Sequence, residues 1–553
     1  MRALAVLAVV AFHAGLPIPG GFVGVDIFFV ISGYVITAVL YRRWRSSGNV
    51  SLAQFYWRRF KRLTPALALM VSCTLLLSFF LLSPLGSQQV TAETGIGAIL
   101  LVANLVISRN TGDYFDLPAE ENALLNTWSL SVEEQFYLVF PLLLIAGWAI
   151  SRAHYLRWTP KALVLSITIG TFVLSVASTQ LGLPNRFDVY VVDPFYSPFA
   201  RAWEFGIGAY LALTLANRTF KRIHFLNLLG YIGLSLILTS FWVIGPATPF
   251  PGTWTLLPTI GAALVILAGS TSTTFTFRLF SMGPLTKVGD WSYSIYLWHW
   301  PLIVFAVTLW PLGEGVALAA AVLSLIPAWL SYRYVEFPLR RSRLSSITSK
   351  SRLIIVTLLV PIALGLFVQW GASDYWQPKY TSGQMDIAAG DLGHNTFLDH
   401  KEATYPECSP ESIRSLALVD NGRVQCHQSV SDQPVEVAII GDSHADHLFP
   451  GLAGALPELN IAYYTAELPV YGDSEKMDKV LDHVVQSEDI KVVLMSAIWH
   501  ARGVPIHELE TTISRLESTG KKVFVLDDIP DFPFEPVECK YRVAPILPSS
   551  RCS

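Results

Sequence analysis

Apolar runs, most of them about 17 to 22 residues long, recur from the N-terminus to about Trp370, separated by short polar connections. Runs of that length can cross the hydrocarbon core of a bilayer. The pattern predicts spans near Ala3–Leu16, Gly21–Leu40, Thr64–Ser83, Thr127–Ile150, Ala162–Gln180, Ala202–Ala216, Phe225–Ile244, Leu256–Ser270, Ser294–Trp310, Val316–Leu330 and Leu353–Trp370. A shorter run covers Gly95–Ile107. After Trp370 the pattern changes, and Asp, Glu, Pro and Ser reach the density of a soluble domain of about 180 residues. Within it Val435–Ile440, Lys491–Ala497 and Lys522–Asp527 read as parallel strands, with Glu508–Ser518 as a helix between the last two. Short β-branched runs alternating with helical patterns predict an α/β, doubly wound sheet.

Charge orients the spans. Basic residues concentrate in Tyr41–Leu63 (Arg42, Arg43, Arg45, Arg58, Arg59, Lys61, Arg62), Ser151–Lys161, Asn217–His224 and Ser331–Arg352. Cytoplasmic loops carry such an excess. The connection Ser108–Asn126 is instead acidic, with Asp113, Asp116, Glu120 and Glu121 against Arg109. If Gly95–Ile107 crossed, this acidic loop would be cytoplasmic and the basic loops after it external. Read as re-entrant, it puts every basic loop inside. About eleven spans with the N-terminus inside then deliver the soluble domain to the external face.

Composition agrees: 52% of the residues are hydrophobic and 15% charged, with a mean hydropathy of +0.45. Soluble domains carry about 25% charge. The net charge of −3 matters less than its distribution, and no nucleic-acid partner is expected. The first apolar run leads straight into a second, without a signal-peptide cleavage site. Cys73 lies in a membrane run, whereas Cys408, Cys426, Cys539 and Cys552 all fall in the soluble domain. Four cysteines there suit two disulfides in an oxidising compartment, which agrees with the external placement. No C-x-x-C pair argues for a metal, and none is expected.

Ionisable residues interrupt the apolar runs: Arg2, His13 and Asp26 near the start, Glu133 and Glu134 in TWSLSVEEQFY, Arg201 and Glu204 in FARAWEFGIG, and His299 in GDWSYSIYLWHWP. A charge at membrane depth costs at least a few kcal/mol and usually lines a site. Taken singly, Glu133 reads as a helix cap and Arg201–Glu204 as an i,i+3 pair. Together they predict a polar cavity inside the bundle.

These motifs, in this order, resemble the acyltransferase-3 family of bacterial membrane O-acyltransferases: Arg2 and His13, GGFVGVDIFFVISGY, RRFKRLTPAL, TWSLSVEEQFY, WEFGIG, SYSIYLWHWP and YVEFPLR. The soluble part adds GDSHADHLFP at Gly441–Pro450, which resembles the opening of the SGNH-hydrolase domain fused to many such proteins. The resemblance implies a polytopic helical bundle, about ten acyltransferase helices plus one linking span, and a C-terminal α/β SGNH-like domain of flavodoxin type. The domains would be 1–341 for the acyltransferase, 342–434 for a linker holding the span 353–370, and 435–553 for the outer domain. The implied reaction transfers an acyl group, in the type case acetyl, from cytoplasmic acetyl-CoA to hydroxyls of an external polysaccharide or lipid-linked glycan. The implied location is a bacterial inner membrane.

On this reading His13 matches the family's essential histidine and Arg2 the arginine of the same motif. Histidine suits proton removal from a sugar hydroxyl, although His13 as acyl carrier is equally open. Glu133 or Glu134 would orient the imidazole. Arg58, Arg59 and Arg62 would attract the CoA phosphates, or be ordinary positive-inside charge. Asp26, Arg201, Glu204 and His299 would bind substrate or hold the polar cluster together.

In the outer domain the resemblance makes Ser443 a nucleophile on a strand-to-helix turn. The family's Gly-x-Asn-Asp element is replaced by Ser496-Ala497-Ile498-Trp499-His500, and no Asp-x-x-His follows Cys552. The family's Asp-Gly-Leu-Arg lead is also replaced, by Met-Arg-Ala-Leu. Both ends therefore read as clipped, or the outer domain as inactive, with His444 and His500 as candidate substitutes for the base. Two other classes fit buried charges on many spans. A glycan or lipid transporter should carry pseudo-repeated halves, which the sequence lacks, and a sensor or scaffold with a degenerate outer domain would not need Ser443.

Overall fold

The computed structural model describes residues 1–84, 86–110, 121–153, 159–180, 193–216, 223–270, 274–311, 313–342, 346–376, 391–417, 419–420, 423–431, 433–465, 468–497, 499 and 506–526. It forms two compact units, one holding Met1–Met385 and the other Asp386–Pro533.

The first unit is helical: α1 (Arg2–His13), α2 (Gly24–Ser47), α3 (Leu52–Leu81), α4 (Ser87–Ile99), α5 (Ala103–Arg109), α6 (Thr127–Ala153), α7 (Thr159–Gln180), α8 (Pro198–Leu215), α9 (Ile223–Val243), α10 (Leu256–Ala268), α11 (Phe275–Phe280), α12 (Gly283–Leu309), α13 (Val316–Leu323), α14 (Leu325–Ser331), α15 (Phe337–Arg341) and α16 (Ile347–Trp370). Among the described residues eight helices are long and apolar enough to cross a membrane. The apolar helices α1 and α10 are shorter, and α8 carries Arg201 and Glu204. Leu138, Val139, Leu142, Val356 and Leu359 all stand exposed on the outside of the bundle. In a soluble protein so many large apolar residues would be a liability, whereas here they suit contact with lipid.

The Gly95–Ile107 run is broken at Leu101, whose φ is +62°, and divides into α4 and α5. At about 1.5 Å per residue neither piece spans about 30 Å of hydrocarbon as a straight helix. Between α14 and α15 the chain makes a π-helical turn at Tyr332–Glu336. Such bulges are frequent at functional sites, and this one buries Glu336, which accepts a 3.0 Å hydrogen bond from Ser294 Oγ on α12.

Close helix crossings set the interior. A Cβ at Gly33 of α2 would lie 2.0 Å from the Phe205 carbonyl oxygen of α8, and one at Gly208 of α8 would lie 2.0 Å from that of Val30. Only glycine lets these backbones touch, the usual device where helices associate without a hydrophobic driving force. The crossing presses Asp26 of α2 against Arg201 of α8.

The second unit is an α/β domain whose five-stranded sheet comprises β3 (Cys426–Gln428), β4 (Val437–Gly441), β5 (Ile461–Thr465), β6 (Val492–Ser496) and β7 (Lys522–Val525), in the order β3-β5-β4-β6-β7. A separate two-stranded ribbon pairs β1 (Val419–Asp420) with β2 (Arg423–Val424). Val437 pairs with Ile461 on one side and Val492 on the other, and every pairing in the large sheet is parallel except that of β3. Its helices are α17 (Asp391–Thr404), α18 (Glu411–Arg414), α19 (Ser443–Ala455), α20 (Glu475–Gln486) and α21 (Ile506–Glu517). Alternate residues of β4 enter opposite cores, Ala438 and Ile440 with Val480 and Leu481 of α20, Val437 and Ile439 with Phe449 of α19. A sheet covered on both faces explains why β4 reads as a continuous apolar run. Cys408 and Cys426 form a disulfide that anchors β3. Cys539, Cys552 and His500 lie outside the described residues, as do Asp113, Asp116 and Glu120.

Candidate active site

The site begins with helical periodicity. Arg2 and His13 are eleven positions apart on α1, close to three full turns at 100° per residue, so they share one face about 16 Å apart. On α12 the residues Tyr293, Tyr296, His299 and Trp300 follow the same spacing of three and four, and α12 packs against α1. Two polar stripes thus face each other along the bundle.

Near His13 they enclose a cavity of about 500 Å³, lined by His13, Trp128, Tyr196, Arg201, Tyr296 and Trp300 among others. His13 Nδ1 lies 3.0 Å from His299 Nε2, and the rings stack at 5.2 Å between centroids and 13° between planes. The edge of Trp300 packs on His13 at 4.6 Å. His299 Nδ1 lies 2.8 Å from the Tyr296 carbonyl oxygen.

Toward Arg2 a smaller chamber of about 60 Å³ follows, lined by Arg2, Ser32, Arg59, Arg62, Glu133 and Tyr296 among others. Val25 and Tyr296 belong to the walls of both chambers. A third, of about 180 Å³, shares Arg59, Leu63, Leu130, Glu133 and Tyr293 with the second and reaches Tyr56 and Phe60. The Tyr296 hydroxyl is fixed by Ser129 Oγ at 2.7 Å and donates to the Asn126 carbonyl oxygen at 3.1 Å.

Glu133 and Glu134 neutralise Arg59. The guanidinium is 2.8 Å from Glu134 and 3.9 Å from Glu133, and it lies 3.5 Å above the Tyr137 ring. Glu133 also accepts hydrogen bonds from Ser32 Oγ at 2.5 Å and from the Tyr137 hydroxyl. Arg62 sits in the field of Arg2, Arg59 and Arg340, with Glu336 as the opposing charge. Three arginines, Arg2, Arg59 and Arg62, thus line the small chamber beside one carboxylate, Glu133, an arrangement that suits an anionic ligand. Beside the large chamber, Arg201 is held between Asp26 at 3.1 Å and Glu204 at 3.3 Å, all three side chains buried, with the rings of Phe29, Trp128, Phe195 and Phe250 around its guanidinium.

The structure therefore gathers Arg2, His13, Arg59, Arg62, Glu133, Arg201 and His299 along one run of chambers. It corrects two expectations. Neither Glu133 nor Glu134 orients the His13 imidazole; both engage Arg59, and the partner of His13 is His299. Arg58 does not join Arg59 and Arg62 in the chamber walls; it lies one turn before Arg62, toward the start of α3, where it is exposed and bonds Gln54 Oε1 at 3.3 Å. The sequence motifs alone do not mark Ser32, Tyr137 and Tyr296 as part of the site. Tyr137 follows Glu133 by four residues and Tyr296 precedes His299 by three, so helical spacing would have found both.

In the second unit Ser443 opens α19 directly after β4, between β5 and β6 in the sheet. That is the topological switch point where open α/β sheets place ligands. Gly441 has φ +153°, and a Cβ there would lie 1.7 Å from the Ser496 carbonyl oxygen, so only glycine fits the turn. Asp442 caps the helix by accepting from the His444 backbone N–H at 2.9 Å, and the same carboxylate lies 3.1 Å from His444 Nδ1. The His444 ring is thus turned to Asp442. One turn further, Asp446 receives the buried Lys401 ammonium at 2.8 Å.

Comparison with known proteins identifies both units. Residues 1–333 match the profile of an acyltransferase domain, and residues 407–553 that of the SGNH domain fused to AT3 domains. The chain is 33% identical over 363 residues to the peptidoglycan O-acetyltransferase OatA of Listeria monocytogenes, covering 62% of this chain and 55% of that protein. It is 30% identical over 396 residues to the O-acetyltransferase OatA of Staphylococcus aureus, covering 67% and 63%. It is also 30% identical over 354 residues to the putative peptidoglycan O-acetyltransferase YrhL of Bacillus subtilis, covering 62% and 54%. The matches thus span little more than half the length of these relatives. No solved structure matches the chain. The chain belongs to the acyltransferase-3 family, as a multi-pass membrane acyltransferase domain followed by a fused SGNH domain.

Proposed function

We propose that the protein transfers an acetyl group from cytoplasmic acetyl-CoA to hydroxyls of an external cell-wall glycan, in line with the peptidoglycan O-acetyltransferases it resembles. The observation that carries this reading is the run of chambers joining the arginines Arg2, Arg59 and Arg62 to His13 through the wall shared at Tyr296. The arginines hold the anionic end of the donor, Glu133 and Glu134 fix Arg59, and the side chains that wall off the small chamber give way for the thioester to reach the chamber of His13. There His13 takes the proton of the acceptor hydroxyl while its oxygen attacks the acetyl carbon. The C–O ester bond forms, the C–S bond breaks, and the proton passes from His13 to the departing CoA sulfur. Basic loops inside and the paired cysteines of the SGNH domain outside complete the orientation. Ser443 is the candidate nucleophile for a second transfer: its oxygen would take the acetyl group from the first ester, whose alcohol leaves with the serine proton, and the glycan hydroxyl would then take the acetyl group and return its proton to Ser443.

The test is the O-acetyl content of peptidoglycan from cells whose only copy carries His13→Ala, with expression and membrane insertion verified. Loss of the ester is expected. Wild-type acetylation would sink the reading.

A further inference from the structure

His299 sits on α12, far from His13 in sequence, and its ring is committed at both nitrogens. Its Nδ1 lies 2.8 Å from the Tyr296 carbonyl oxygen and 3.2 Å from that of Ile295. A carbonyl oxygen can only accept, so this nitrogen carries the hydrogen. With one hydrogen per ring, His299 Nε2 is then a bare acceptor. The only group it bonds among the described residues is His13 Nδ1 at 3.0 Å, which must therefore donate. The hydrogen of His13 is thereby placed on Nδ1, and His13 Nε2 is left with its lone pair. The backbone of α12 supports the arrangement, because the carbonyls of residues three and four positions earlier lie beside the ring. His299 itself is fully buried, and Trp300 packs edge-on against His13 and limits its rotation.

We infer that His299 is a positioning residue that fixes the tautomer of His13, so that Nε2 is the basic atom presented to the reacting hydroxyl. No carboxylate hydrogen-bonds either ring among the described residues. The pair therefore differs from the histidine–carboxylate couples of hydrolases, which set the tautomer with a buried charge. Here a main-chain carbonyl does so, relayed through a second imidazole. When Nε2 takes a proton, the imidazolium keeps its Nδ1–H on the His299 acceptor, and no proton need move along the pair for the reaction to close. The inference rests on His13 being the base proposed above.

The direct test is nitrogen NMR of the full chain in lipid nanodiscs with 15N-labelled histidine, the His13 signals being assigned by their loss in His13→Asn. A protonated Nδ1 and a bare Nε2 on His13 are expected, and the opposite tautomer overturns the inference. The functional test follows thiol release from acetyl-CoA with solubilised peptidoglycan strands as acceptor. His299→Leu should lower kcat on the order of 100-fold with an unchanged KM for acetyl-CoA, within the range that a positioned base contributes. His299→Gln, whose amide oxygen occupies the place of Nε2, should recover most of that loss, whereas His299→Asn, which mimics Nδ1, should not. A merely structural role predicts equal losses for Gln and Asn, and that outcome, or a wild-type kcat in folded His299→Leu, overturns the inference. Undiminished thiol release by His13→Ala would instead remove the proposed function, leaving the tautomer spectrum to be judged alone.

Discussion

The Arg201 guanidinium on α8 lies 3.1 Å from the Asp26 carboxylate on α2, and both side chains are fully enclosed by the bundle. Glu204 completes the cluster at 3.3 Å. Removing one partner of a buried ion pair leaves an uncompensated charge and costs about 3–5 kcal/mol, much more than removing both. Arg201→Leu should therefore strongly lower the unfolding temperature in detergent. Adding Asp26→Asn and Glu204→Gln should recover a good part of the loss. Equal stabilities for the single and triple variants would show that the cluster is not an ionic one.

The α2–α8 crossing makes a prediction with a diagnostic sign. Glycine to alanine inside a helix ordinarily gains about 1 kcal/mol. At Gly33 and Gly208 the added carbon would sit 2.0 Å from a facing carbonyl oxygen. Gly33→Ala and Gly208→Ala should each destabilise by about 1–3 kcal/mol, the cost of overpacking. Thermal unfolding of purified protein measures this, and a gain in stability would refute the close crossing.

Arg58 and Arg62 separate attraction by a site from charge that merely orients the chain. Arg62 lines the small chamber among other arginines, and Arg58 is exposed one turn nearer the start of α3, outside the chamber. Arg62→Gln should weaken acetyl-CoA binding on the order of tenfold, a single charge-assisted contact, while relief of like-charge repulsion leaves stability equal or higher. Arg58→Gln should change binding by less than about twofold, because screened surface charges contribute little. Calorimetric titration with acetyl-CoA reads both, and equal losses would remove the distinction.

In the SGNH domain His427 is buried beside Lys401, and burial, then the Lys401 charge, holds its pKa below the usual 6.5. Asp446 and Glu402 act in the opposite sense but do not reverse the shift. Because the folded pKa is depressed, the unfolded chain binds the extra proton more readily. The stability this neutral ring contributes is present above about pH 6.5 and is lost as the pH falls toward the folded pKa. Hydrogen exchange at Cys426–Gln428 in the full chain, corrected for intrinsic rates, should show protection falling below pH 6.5, and His427→Gln should flatten the dependence. Unchanged protection down to pH 5 in the native chain would contradict the shift.

Much of the first unit could be read from the chain because lipid imposes length and hydrophobicity on each element independently. The spacing of Arg2 and His13 also declared a shared helix face. What could not be read were pairings between distant helices. His13 and His299 are separated by 286 positions, and nothing local in SYSIYLWHWP states which ring it meets. The same holds for Asp26 with Arg201. The arginines show a finer limit, since Arg58 and Arg59 look alike in RRFKR but one is exposed beside Gln54 and the other turns inward to Glu134. In the second unit β4, β6 and β7 are legible as apolar runs, whereas β5 is not, because the tyrosines and threonine of IAYYT give it a mixed character. Helix α20 is legible in retrospect from Met477, Val480, Leu481 and Val484 at helical spacing.

The Tyr296 hydroxyl, tied to Ser129 and Asn126, stands in the wall between the two chambers. The smaller one, at about 60 Å³, has room for only a handful of waters. A continuous file of water across the bilayer would conduct protons down the membrane potential, which is worth about 2.3 kcal/mol per charge per 100 mV. The wall therefore acts as electrical insulation, letting the cell hold its voltage around a polar interior. Proteoliposomes carrying Tyr296→Ala should dissipate an imposed pH gradient faster than those with the native chain, and equal rates would place the seal elsewhere.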